Sequence, residues 1–266
     1  MSGEKAGGLM RKTRDMTLEE HLGELRKRII RVLVVFVLAM VVGLFYADVV
    51  IQYVQANPVS EEVPLSGLVS LSPSDALRVY MQFAFLIAVV ITLPVALLEL
   101  WAFVAPGLRP LEKRVALRFI PAALLLFVLG LAFGYYIVFP MILPFMVGFT
   151  EKIGTQPLYG VAEYFGFMFN IVLPFGFLFE LPIIVMFLTR LRILNPARLA
   201  RMRRVAYFVL AVIAITLTPP EIVSDILVTI PLLVLYEASI WLSTLVYRKQ
   251  LQEDEAWERE FADQES

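Results

Sequence analysis

A carboxylate set among arginines and lysines can trade one cation for another, and this 266-residue sequence places two carboxylates beside basic runs. Glu24 lies in His21-Leu22-Gly23-Glu24-Leu25-Arg26-Lys27-Arg28, and Glu112 lies in Leu111-Glu112-Lys113-Arg114. Two readings stand at Glu24. It supports a helix through an i,i+4 pair with Arg28, or it accepts an incoming cation. At Glu112 the choice is between the first turn of a helix, where the dipole favours an acid, and a second acceptor for the same cation. Phe103, just before the Pro106-Gly107 turn signal, offers a guanidinium an aromatic face. Glu180 is a different case. It stands in the apolar run Phe177-Leu178-Phe179-Glu180-Leu181-Pro182, where burying an acid costs about 2.5–3.5 kcal/mol and calls for a cavity or a partner. Glu221 and Asp225, spaced i,i+4 after Pro219-Pro220, are explained by a helix start alone.

The residue inventory excludes several chemistries. With no cysteine and a single histidine, His21, there is no thiol nucleophile, no disulfide framework and no His or Cys metal cluster, so neither metal nor cofactor is expected. A net charge of −1 makes no case for nucleic-acid binding.

The elements that position these groups are membrane spans. Hydrophobic residues are 59% of the chain, above the roughly 45–50% of a soluble domain, and mean hydropathy is +0.78. Crossing a hydrocarbon core of about 30 Å takes about 20 apolar residues. Ile29–Ala47, Val79–Val104, Phe119–Phe139 and Phe165–Leu188 meet this. Val205–Leu217 is short, about 20 Å as a helix. Ile222–Val246 is longer but carries Asp225 and Glu237. All basic residues except Arg78 and Lys152 then fall on the side of the termini, so the positive-inside rule predicts six spans with both termini cytoplasmic.

Thr17-Leu18-Glu19-Glu20 has the form of a capping box, and Leu18, Leu22, Leu25 and Ile29 share one face of the helix it would start. The expected organisation is a flexible segment 1–16, one transmembrane domain 17–248, and an acidic cytoplasmic tail 249–266 that is solvated and unstructured. Val49–Val54 and Met141–Phe149, in the long outer loops, are expected to lie as interfacial helices and form a cap. In the fourth span, Asn170, Pro174 and Pro182 predict a polar, bent helix around Glu180.

Four motifs carry a resemblance: the His21–Arg28 run, Trp101-Ala102-Phe103-Val104-Ala105-Pro106-Gly107-Leu108 with Glu112-Lys113-Arg114, Phe179-Glu180-Leu181-Pro182, and Leu217-Thr218-Pro219-Pro220. In this order, on this topology and over about residues 16–248, the sequence resembles TatC, the six-span receptor subunit of the twin-arginine protein translocase. The resemblance implies an all-α, glove-shaped protein of the cytoplasmic (inner) membrane. It would bind twin-arginine signal peptides at its cytoplasmic face and pass folded proteins across the membrane with single-span TatA- and TatB-type partners and further copies of itself.

It further implies that Glu24 and Glu112 form the signal-peptide site, with Phe103, Arg26 and His21 around them. Glu180 becomes the intramembrane docking point and Pro58 the outer-loop proline. The acid after the double proline falls to Glu221 or Asp225. No enzymatic activity is expected. The competing function is a proton- or cation-coupled secondary transporter using Glu180, which broken helices favour and the lack of an internal repeat opposes.

Overall fold

The computed structural model describes residues 18–57, 67–104, 119–152, 154, 158–217 and 222–265. Nine α-helices are seen among them. They are α1 (Leu18–Ala56), α2 (Asp75–Val104), α3 (Phe119–Phe133), α4 (Phe139–Lys152), α5 (Val161–Leu178), α6 (Leu181–Arg190), α7 (Pro196–Arg201), α8 (Arg203–Leu217) and α9 (Ile222–Glu265). Among the described residues, five stretches are long and apolar enough to cross a membrane: Leu22–Ala56, Asp75–Phe103, Ile120–Lys152, Val161–Arg190 and Val228–Gln252. At 15 residues, α8 falls short of that length.

Some expected loops are helix. Val49–Val54 belongs to the unbroken 39-residue α1, and Met141–Phe149 belongs to α4, which follows α3 through a single π turn at Gly134–Val138. These apolar stretches extend the helices before them and are not separate interfacial helices. The acidic tail is also corrected: α9 runs on as helix to Glu265. Its residues are largely good helix formers, and Arg192 ties Asp254 to the α6–α7 turn at 2.7 Å. Thr17, the expected cap, lies outside the described residues, and α1 is helical from Leu18.

Packing between helices turns on small residues, as it does where lipid supplies no hydrophobic drive for helix association. A Cβ on Gly43 of α1 would stand 2.5 Å from the Ala84 carbonyl oxygen of α2. On the α3 side, a Cβ on Gly134 would stand 2.9 Å from Cα of Val172 in α5. Around these close approaches Phe83 packs edge-on against Phe165 and Phe169 at 5.3 and 5.0 Å. Phe127, Phe139 and Phe175 are fully buried. Polar bonds join α6 to α9, where the Thr189 and Ser243 hydroxyls lie 2.6 Å apart and Gln250 donates to the Arg190 carbonyl at 2.8 Å.

The two ends of the helices differ in chemistry. One carries the start of α1, the end of α2 and the arginine-rich α6–α8 connections. At the other, Val69 pairs with Gly160 in a lone parallel bridge and Tyr135 donates to the Asn57 carbonyl at 3.2 Å. There Asp75, 1% exposed, accepts from the backbone amides of Leu71 and Ser72 at 2.8 and 2.7 Å, so the first residue of α2 holds the turn before it.

Candidate functional site

At the basic end, α1 and α2 run antiparallel and bring the first turns of one against the last turns of the other. Arg28 is the bridge. Its Nη2 donates to Glu24 Oε1 in a short contact and its Nε to the same oxygen at 3.2 Å, which is the i,i+4 pair the spacing allowed. Its Nη1 crosses to α2 and donates to Glu99 Oε2 at 3.1 Å. Arg31, one turn on, pairs with Glu99 Oε1. Two acids and two arginines therefore alternate across the helix pair. Arg28 and Glu99 are largely shielded, with side chains 14% and 16% exposed, while Arg31 is 57% exposed.

Beneath this ladder lies a groove of about 330 Å³ between the helices, lined by Leu25, Arg28, Phe36, Thr92, Glu99 and Phe103 among others. Phe103 lines the same groove as Arg28 and Glu99. Arg26 is on the exposed side of α1, and His21 is placed by its backbone near the start of the helix. Glu112, Pro58 and Glu221 lie outside the described residues. Asp225 is in the first turn of α9 and half-buried.

Glu99 and Arg31 join this ionic cluster although no sequence motif marks them. Glu99 sits within the second apolar run, and an ionisable residue in such a run is itself a signal. Its partners are set by the register of α1 on α2.

Glu180 lies apart from this cluster. It occupies the junction of α5 and α6, where its backbone N–H reaches Phe177 O at 3.1 Å and its carbonyl accepts from Ile184 at 2.9 Å. Pro182, in the first turn of α6, has no N–H to offer the turn before it. Glu180 is 5% exposed, and neither carboxylate oxygen has a hydrogen-bond partner among the described residues. By contrast Glu237 is partnered, accepting from Arg203 at 2.9 Å and from the Tyr207 hydroxyl at 2.5 Å. No group of His, Cys, Asp or Glu able to hold a metal occurs among the described residues.

Residues 20–231 match the family described as Sec-independent protein translocase protein (TatC). The chain belongs to the TatC family. It is 46% identical over 252 residues to the Sec-independent protein translocase protein TatC of Halalkalibacterium halodurans, a match covering 95% of this chain and 98% of that one. With the TatCy protein of Bacillus subtilis it shares 45% identity over 238 residues, 90% of this chain and 92% of that one. A crystal structure described as the twin arginine translocase receptor TatC superposes with a TM-score of 0.70 at 33% identity, covering 85% of this chain and 99% of the other. The chain therefore shares the overall fold of that TatC structure.

Proposed function

We propose that this chain is the receptor and core component of a twin-arginine translocase, a non-enzymatic protein that recognises signal peptides at the basic end of α1 and α2. The observation that carries the reading is the carboxylate of Glu24, held by Arg28 near Phe103 in a chain of the TatC family. A guanidinium presents a planar fork that pairs with a carboxylate in a bidentate way, which an ammonium does not reproduce. Glu112 supplies the second carboxylate in this reading, with Arg26 and His21 on the same segment as Glu24. Two arginines of a signal peptide then meet two acids.

The same reading takes residues 17–248 as one domain of six spans, α8 being the fifth, with both termini in the cytoplasm and the protein in the cytoplasmic membrane. Twenty-one of the 23 basic residues then lie on the cytoplasmic side. Single-span TatA- and TatB-type subunits and further copies of the chain are the partners, folded cargo is the substrate, and the proton motive force drives transport. Glu180 is the docking point for a polar group on a partner helix or on the inserted signal hairpin. Pro58 belongs to the cap on the outer face, and Glu221 or Asp225 supplies the acid at the start of span six.

The test is capture of the full-length protein in membranes by a twin-arginine signal peptide carrying a photo-crosslinker, against its double-lysine variant. Crosslinking by the first and not the second is expected. Equal crosslinking by both would remove the receptor reading.

A further inference from the structure

We propose that Glu99 is a positioning residue of the cation site: it retains Arg28 when Glu24 changes partner, and so sets the affinity of Glu24 for an incoming guanidinium. The proposal rests on the reading of Glu24 as the peptide's acceptor.

The geometry divides the donors of Arg28 between two acids. Nε and Nη2 face Glu24, while Nη1 faces Glu99 Oε2 at 3.1 Å and the Glu99 carbonyl at 3.5 Å. When a guanidinium takes Glu24, Arg28 loses its bonds to that side chain. At 14% exposure it is poorly placed to recover them from water, and a shielded cation without a partner is strongly unfavourable. Glu99 prevents that state. It already holds one end of the Arg28 fork, and its other oxygen is engaged by Arg31, which is 57% exposed.

An exposed ion pair contributes little, so Arg31 gives up its oxygen to water at small cost. Glu99 then accepts Arg28 in a bidentate pair. Two exchanges run together: Glu24 passes from Arg28 to the peptide, and Glu99 passes from Arg31 to Arg28. Without the Glu99 carboxylate, Glu24 is the one acid paired with Arg28 among the described residues, the carbonyl of residue 99 at 3.5 Å being a weak substitute, and the peptide must displace an arginine that has no second carboxylate to receive it.

The experiment titrates a twin-arginine signal peptide against the full-length protein in membrane vesicles, reading site-specific crosslinking. Glu99→Gln is expected to weaken binding about tenfold, the loss of one charge-assisted partner. Adding Arg28→Gln removes the competitor and is expected to bring affinity back to within about threefold of the unmodified protein. Adding Arg31→Gln gives the same net charge but leaves the competitor, and is expected to restore nothing.

Unchanged binding in Glu99→Gln overturns the proposal. So does equal recovery in both double variants, which would mean a simple field effect, and so does failure of both, which would mean a helix tie only. Should Glu99→Gln not reach the membrane, Glu99→Asp keeps the charge, retracts the carboxylate by one methylene and carries the same expectation. Glu24→Gln separates the two layers. Normal binding there removes the acceptor reading itself, whereas loss there with normal binding in Glu99→Gln removes only the role of Glu99.

Discussion

Arg203, at the start of α8, donates to Glu237 on α9 at 2.9 Å. One turn on, the Tyr207 hydroxyl donates to the other oxygen of the same carboxylate at 2.5 Å. Both charged side chains are well exposed, so the pair contributes roughly 0–1 kcal/mol and chiefly sets how α8 lies on its neighbour. It also explains the acid inside the last apolar stretch: Glu237 sits at the basic end of α8, where it has an arginine to meet.

That anchoring makes the length of α8 testable. Its 15 residues span about 22 Å, less than the hydrocarbon core, so bilayer thinning beside it or coverage by partner helices is expected. Inserting four leucines after Val209 lengthens it to about 28 Å. Partner crosslinking to α8 and export of folded cargo are both expected to fall, as measured in inverted membrane vesicles. If neither changes, the short helix has no functional meaning.

Glu24→Ala and Glu112→Ala are each expected to weaken signal-peptide crosslinking roughly ten- to hundredfold while leaving the protein inserted, since each removes a charge-assisted acceptor worth about 1.5–3 kcal/mol. Membrane yield and crosslink titration on the same preparation check this together. Normal crosslinking in both variants would sink the assignment.

At Glu180 the two obvious variants are expected to diverge. Glu180→Gln keeps hydrogen bonding without the charge and is expected to retain partner contact and much of the export activity. Glu180→Leu removes both, and is expected to lose crosslinking from α5 and α6 to partner helices while still binding signal peptide at the start of α1. An unchanged crosslink pattern in the Leu variant would make Glu180 a tolerated structural acid.

Gly134→Leu drives a side chain into the backbone of α5, where a Cβ would already stand 2.9 Å from Val172 Cα. Overpacking of this kind costs about 1–3 kcal/mol. A lowered midpoint of thermal unfolding in detergent is expected. Gly148→Ala, where a Cβ meets nothing within 4 Å, is the control and is expected to show little change. Equal midpoints for the two would mean that the α3–α5 contact yields more easily than its geometry implies.

Most of this architecture was legible in the chain because transfer into hydrocarbon is close to a sum over neighbouring residues, so a local window finds the long apolar helices. The charge asymmetry between connections is likewise a count. Motifs around Glu24, Phe103 and Glu180 were readable for a related reason: an acid in a basic run or an apolar one is anomalous without any knowledge of its surroundings.

What tertiary structure decided was partnership. Glu99 becomes a member of the site only because α2 returns antiparallel to α1, and that register depends on close approaches such as Gly43 on Ala84. Glu237 and Glu180 are both acids in apolar runs, yet one meets Arg203 and Tyr207 and the other meets no partner among the described residues. The helical tail follows the same logic, with Asp254 meeting Arg192 from the α6–α7 turn. Hydrophobic burial accumulates along the sequence, whereas a hydrogen bond needs two groups within about 3 Å in the right orientation. That condition is set by how the helices pack.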